Sequence, residues 1–412
     1  MNRIVLLLLI LNMNPANAQI KNSGWLEDLL RKDASPLLAH VLDNPDTFHY
    51  QIIYTKIDRQ NKNKPIFTHY YLNVDRGQYF NPASMVKLPT ALAALEKLNI
   101  LNLPVDIDTP MLTDSSFSGQ TAVLKDETSE NGLPSIGHYI KKIFLVSDND
   151  AYNRIYEFAG QKFLNECLWQ KGYTDMRITR RFVPMTPEEN RHTNAIRFVQ
   201  DGQTVYEQPA AYSDLTFDFS KKILVGKAHL DRNDNMIPEP MDFTQHNNAP
   251  LEDLQQIMQS VLFPESVPEQ KRFKLTPNDL KLLYRYMSEL PSESSYPKYD
   301  TTEFFDSYTK FFFFRDGRQK LPPYIRSFNK TGWSYGFLTD VCYIVDFKHD
   351  VEFMLSGNIY VNSNGVLNDN KYEYDEIGYP FFREVGEKIY QYELKRQRKQ
   401  KPDLSKWKLL YD

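Results

Sequence analysis

The sequence predicts an α+β fold in which an antiparallel sheet, flanked by helices and built from both chain ends, encloses an inserted, mainly helical domain. Near the start, "HYQIIYTKIDR" (49–59) and "THYYLNV" (67–73) are rich in β-branched and aromatic residues. Three more such runs, "YIRSFNKTGW", "GFLTDVCYIVDF" and "VEFMLSGNIYV", follow residue 320. Between them, from about 100 to 290, helical patterns alternate with long polar loops. The expected organisation is a leader over 1–18, a sheet domain over 19–105 and 295–412, and a mainly helical domain with an enlarged insertion over 106–294.

Each element has a local reason. The first two strands are joined by the polar "QNKNKP" and read as a hairpin. A helix follows Ser84, with Leu88, Leu92, Leu95 and Leu98 at helical spacing. "LEDLQQIMQSVL" and "TPNDLKLLYRYMSEL" are amphipathic helices, the second opened by a Thr-Pro start. "YPFFREVGEKIYQYELKRQ" closes the chain as a helix, and the basic run "KRQRKQK" continues its pattern as a solvated face. No internal repeat or low-complexity tract interrupts this reading.

Composition narrows the function. With 412 residues, 41% hydrophobic and 14% aromatic, the chain has enough apolar material for a large core. A formal charge of −4 gives no basis for nucleic-acid binding. The opening "MNRIVLLLLILNMNPANAQ" reads as a secretory signal cut after Ala18, so the protein is expected to be exported, periplasmic or secreted. No later run approaches ~20 apolar residues and no cysteine sits at the cut, so no stable membrane anchor is expected. Cys167 and Cys342 read as buried free thiols rather than a bridge. The histidines form no zinc-spaced pair, and no metal or cofactor is expected. "DRNDNMIPEPMD" (231–242) starts like a calcium loop but lacks glycine at the sixth place and glutamate at the twelfth, so it reads as a polar loop. Oligomeric state is left open.

Ser-x-x-Lys occurs five times, beginning at Ser84, Ser295, Ser307, Ser327 and Ser405. A nucleophile activated by lysine needs both side chains on one face, which positions i and i+3 of a helix provide and a strand does not. Ser327 lies in a predicted strand and the Ser295 motif contains Pro297. Neither Ser307 nor Ser405 opens a strongly apolar helix. Ser84 does, at an N-terminus that favours negative charge developing beside it. Alone, it reads more readily as a capping serine followed by a surface lysine.

Two further motifs decide the matter. "VSDNDAYNRI" carries Ser147-Asp148-Asn149, and "FNKTGWSYG" carries Lys330-Thr331-Gly332. With Ser84 and Lys87, this ordered set resembles the penicillin-recognising serine hydrolases, and within them the class A β-lactamase group, where Ser-Asp-Asn is usual. The resemblance covers most of the mature chain and implies a β-lactamase/transpeptidase-like fold.

The resemblance also implies roles. Ser84 would attack an amide carbonyl to give an acyl-enzyme, with Lys87, when neutral, as its general base. Ser147 would pass a proton to the departing nitrogen, and Asn149 would hold the acyl amide. Lys330 and Thr331, helped by Ser334, would bind the substrate carboxylate, and Gly332 would leave room along the strand. The backbone N–H groups of Ser84 and Trp333 would form the oxyanion hole. The implied partner is a small-molecule β-lactam or a peptidoglycan-derived peptide. The implied activity is that of a class A β-lactamase-like serine hydrolase. The alternative is a penicillin-binding protein or D-Ala-D-Ala carboxypeptidase-like hydrolase with slow β-lactam deacylation.

Two features depart from the pattern. The class A group places a deacylating glutamate in Glu-x-x-Leu-Asn, whereas this chain has "TPEENRHTNAI" (186–196). Glu189, or Glu188, is the candidate there, although Thr186, Pro187 and Glu189 also form a helix-start pattern. Residues 150–329 are in addition a longer interval than a compact class A enzyme uses. A rival nucleophile elbow, "GWSYG" around Ser334 with His349 as base, requires a strand-to-helix turn, but a strand follows and a hairpin is expected.

Overall fold

The computed structural model describes residues 20–115, 117 and 120–411. The expected leader, residues 1–18, lies outside them. Five strands form one antiparallel sheet: β1 (Gln51–Gln60), β2 (Lys64–Leu72), β3 (Ile325–Ser334), β4 (Phe337–Asp346) and β5 (Val351–Tyr360), in the spatial order β3-β4-β5-β1-β2. The sheet is thus assembled from both chain ends, and β3 is an edge strand.

Side chains alternate across this sheet with period two, and both faces are covered. Val341, Tyr343 and Val345 of β4 join one core cluster, whereas Leu338, Cys342 and Ile344 join the other. Every residue of β4 and β5 is consequently buried. The first face carries helices α3 (Lys87–Leu101), α7 (Leu251–Leu262) and α8 (Pro277–Ser288). The second carries α1 (Gly24–Arg31), α2 (Pro36–Asp43) and α9 (Tyr379–Lys395). Pro277 begins α8 after a Thr276–Asp279 capping box, as its Thr-Pro start predicts.

Helices α4 (Ile136–Leu145), α5 (Asn149–Ala159) and α6 (Gln161–Gln170) pack with α3 beside the sheet. The region from 196 to 242 is built of short strand pairs, not helices: Ile196–Gln200 with Gln203–Gln208, Leu224–Val225 with Met241–Asp242, and Ala228–Leu230 with Met236–Ile237. The local signal was Asp201-Gly202, both at positive φ, which is the two-residue hairpin turn that Asp-Gly favours. Residues 231–235 form a longer, five-residue hairpin loop between Leu230 and Met236, with Asp234 at φ +60°. Asp231 Oδ1 accepts from the N–H groups of Asn233 and Asn235 at 2.8 and 2.9 Å, so its carboxylate serves the backbone.

The basic run after α9 departs from expectation. The helix ends at Lys395, and Arg396 and Arg398 fold back onto Glu393, which is fully buried against Tyr54. A buried carboxylate requires such partners, and this need outweighs continuation of the helix. Cys167 and Cys342 are both buried free thiols. Among the described residues, no helix is long and apolar enough to cross a membrane.

Candidate active site

Ser84 lies in a short 3₁₀ turn, Ala83–Val86, that runs directly into α3. Neither the turn nor the helix receives a side-chain cap, so the serine is not spent on capping. Ala83, just before it, is held at φ +44°, a left-handed conformation that an L-residue adopts only when its surroundings impose it. One helical turn inside, Lys87 is completely buried. Its Nζ donates to Ser147 O at 2.5 Å, Asn149 Oδ1 at 2.7 Å and Ser147 Oγ at 3.3 Å. Burial, reinforced by the charge of Lys330, pushes the Lys87 ammonium well below the usual lysine range.

The second motif forms the start of α5. Asp148 is the residue that caps, accepting from Ala151 N at 2.8 Å. Its neighbours are thereby freed to face the site: Ser147, at φ +60°, turns its hydroxyl inward, and Asn149 meets Lys87. The third motif approaches along the edge strand. Lys330 Nζ donates to Ser147 Oγ at 2.9 Å, and burial lowers its pKa to about 7 against the favourable field of Asp340. Ser147 Oγ therefore bridges the two lysines. Thr331 is fully buried with its hydroxyl unpartnered among the described residues.

Gly332 sets how closely β3 approaches the Ser84 turn. A Cβ there would stand 2.5 Å from Pro82 O, 2.8 Å from Met85 N and 2.9 Å from Ser84 N. Just beyond, Tyr335 and Gly336, at φ +53° and +83°, make a two-residue turn closed by the Ser334–Phe337 pair. "GWSYG" is accordingly a hairpin, and His349 is engaged by Asp346 at 2.6 Å. Ladder bonds alternate from the closing pair, so the Trp333 N–H points away from β4, off the open edge of the sheet.

Behind β3, buried Lys310, from a different Ser-x-x-Lys motif, donates to Ser327 O at 3.0 Å and Asn329 Oδ1 at 2.6 Å. Asn329 donates in turn to Asp340 Oδ1 at 2.9 Å, and Asp340 Oδ2 accepts from Phe311 N at 3.1 Å. This network ties the 309–312 segment to the edge strand and supports Lys330 from below.

A cleft of about 650 Å³ opens over these groups, with Ser84, Ser147, Asn149, Trp333 and Ser334 in its wall. Further wall comes from positions that local sequence does not mark, among them Phe182, Arg180, Arg232, His246, Asn247 and Tyr308. They converge through long-range packing. Arg181, fully buried, fixes the segment carrying two of them by donating to Glu157 Oε1 at 2.8 Å, Glu189 O at 2.7 Å and His192 O at 2.8 Å. Asn153 Oδ1 accepts from Phe182 N at 2.8 Å and seats the Phe182 ring 5.1 Å from Lys87 Nζ.

Glu189 stands apart from this assembly. Its carboxylate accepts from Thr186 N at 2.6 Å and Thr186 Oγ1 at 2.8 Å, while Glu189 N donates back to Thr186 Oγ1 at 3.2 Å. That is the helix-start pattern, and these bonds hold the carboxylate below its usual range. Glu188 faces His192 and Arg191 instead. Neither residue lines the cleft, and among the described residues that do there is no carboxylate.

The sequence profile of the Beta-lactamase enzyme family matches residues 57–224, a stretch that includes Ser84, Lys87 and Ser147 to Asn149. Comparison with curated proteins finds no match. Among solved structures, the chain is similar to a beta lactamase from Xanthomonas campestris, at 13% identity and TM-score 0.48 over 89% of this chain and 98% of that one. It is also similar to a beta-lactamase from Sphaerobacter thermophilus, at 12% identity and TM-score 0.46 over 87% and 97%. A third likeness is to a mutant of PBP-A in an acyl-enzyme complex with penicillin G, at 13% identity and TM-score 0.47 over 89% and 96%. The profile match over residues 57–224 and the convergence of the three motifs at one cleft make the chain similar to the penicillin-recognising serine hydrolases.

Proposed function

We propose that the protein opens β-lactam or related peptide amides by acylation of Ser84 and releases the acyl group slowly, behaving toward β-lactams as a penicillin-binding protein. The observation that carries this reading is the pairing of a complete set of acylation motifs with a cleft wall in which no described residue is a carboxylate.

In the acylation step, neutral Lys87 takes the Ser84 proton as Oγ attacks the carbonyl. Ser147 Oγ, between Lys87 and Lys330, relays a proton to the departing nitrogen. The N–H groups of Ser84 and Trp333 receive the developing oxyanion, Asn149 holds the acyl amide, and Lys330, Thr331 and Ser334 hold the carboxylate. Hydrolysis of the ester then needs a base beside the water. Glu189 is committed to Thr186, and the apolar Phe182 ring lies 5.1 Å from Lys87 Nζ.

Mixed with benzylpenicillin, the protein is expected to gain one penicilloyl mass that persists for many minutes, while Ser84→Ala gains none. Intact-protein mass spectrometry over time reads this. Rapid loss of the adduct with accumulating hydrolysed drug would restore the β-lactamase reading, and an adduct on Ser84→Ala would move the nucleophile elsewhere.

The lysines predict a pH profile. Lys330 has its charge below a pKa of about 7 and loses it above, the reverse of the benefit Lys87 draws from deprotonation. Its surroundings are Asp340, which favours the cation, and Lys310 and Lys87, which oppose it. Acylation by an anionic penicillin should therefore fall as pH rises through the Lys330 pKa, approaching tenfold per unit. Lys330→Arg, permanently charged, should remove that limb. A limb unchanged in Lys330→Arg would assign it to another group.

A further inference from the structure

The insertion between Asn149 and Lys330 adds a second cavity, of about 410 Å³, which meets the catalytic cleft along a shared rim of Arg180, Met185, Arg232 and His246. Its walls carry four cations, Arg180, Arg191, Lys222 and Arg232, against one carboxylate, Asp242. That carboxylate is exposed and faces Lys222 at 3.9 Å. Arg191 is anchored to Ser213 O and Leu215 O at 2.8 and 2.7 Å, with Glu188 at 3.9 Å.

The two rim arginines carry no ion pair or hydrogen bond to a carboxylate among the described residues, and the carboxylate that feels the charge of Arg232, Glu189, lies outside the cavity wall. Arg180 donates from Nη1 to His246 Nε2 at 2.9 Å, which orients the guanidinium without countering its charge. Burial and the neighbouring arginines hold His246 down to about 4, so the ring is neutral and accepts that bond. Arg232 is exposed at the tip of the 231–235 turn, and among the described residues no hydrogen bond or ion pair engages its side chain. Cationic guanidinium groups grouped at a concave rim attract carboxylates, and Arg presents its donors as a planar fork suited to them.

We infer that this cavity is a subsite for an anionic group on the acyl arm of the substrate, with Arg180 and Arg232 as its specificity-determining residues. The inference rests on the acylation reading above. Phe182 and Met185 line the same cleft as Ser84, and Met185 also belongs to the shared rim, so an acyl arm in the cleft can reach that rim. The natural substrate class is then an acyl amide or peptide with a carboxylate in the arm, rather than one with a purely apolar arm.

The test uses two penicillins that differ only in a carboxylate on the acyl arm. The wild type is expected to be acylated about tenfold faster by the anionic one at low salt, and the preference should shrink with ionic strength. In Arg232→Gln and Arg180→Gln that ratio should fall toward one; Arg232, being exposed, is the variant that leaves the core untouched. Equal rates in the wild type, or a preference that survives both substitutions, would overturn the subsite. Calorimetric binding of the same pair to Ser84→Ala reads the subsite without the chemistry. An anionic preference there, lost on adding Arg232→Gln, supports it even if no adduct forms on the wild type, in which case only the acylation reading fails. Equal binding there overturns the subsite even if the wild type is acylated.

Discussion

Lys87→Met is expected to lower the rate of Ser84 acylation by roughly 10²- to 10⁴-fold, the range that a positioned general base contributes. The size follows from geometry. Lys87 is one turn inside the helix that Ser84 leads into, is completely buried, and reaches Ser147 and Asn149 with its amine. Methionine fills the same volume without an acceptor for the proton. The fold should survive, because a lysine side chain in an apolar pocket carries a desolvation cost that methionine does not. Against this stands the loss of a donor to Ser147 O and to Asn149 Oδ1, of which the latter belongs to an exposed residue. We expect the thermal midpoint to stay within about 2–4 °C of wild type. Stopped-flow acylation with a chromogenic β-lactam, paired with a thermal melt, separates the two effects. A variant that acylates at the wild-type rate would remove Lys87 from the mechanism. One that melts far lower would make its role structural.

Gly332→Ala is the second large effect, expected to slow acylation by roughly 10²- to 10³-fold, comparable with losing an oxyanion donor. All three atoms that meet the added methyl are backbone, at 2.5, 2.8 and 2.9 Å, so no side chain can swing aside. Either β3 or the Ser84 turn must move. Each carries one of the two N–H groups assigned to the oxyanion, and a displacement near 1 Å is enough for about 10² in rate. Because β3 is an edge strand, it can retreat without breaking the ladder to β4, and the stability cost should remain near 1–3 kcal/mol. Acylation kinetics and urea denaturation together check this. Wild-type kinetics would mean that the oxyanion is not received between Ser84 and β3.

Local sequence determined a good deal about this chain. Runs of β-branched residues and the periodic leucines of α3 mark elements whose character is set by neighbours within a few positions, and all five main strands fall on segments that read as strands. That the Ser84 motif, alone among five Ser-x-x-Lys motifs, opens a strongly apolar helix was also legible. Glu189 shows where local reading divides. "TPEE" is both a weak echo of a deacylation motif and a helix start, and the backbone of Thr186 claims the carboxylate.

Tertiary structure alone decided what those groups confront. Lys87 and Lys330 share Ser147 Oγ although 183 residues separate Ser147 from Lys330 along the chain, and their lowered proton affinities come from burial, a property of packing. Arg180 and Phe182 carry no motif and reach the cleft because Arg181 and Asn153 pin their loop, and Arg232 because a hairpin presents it. A motif encodes which chemistry is present. Proximity and desolvation, which set what that chemistry can do, arise from contacts between distant residues, and no local pattern specifies them.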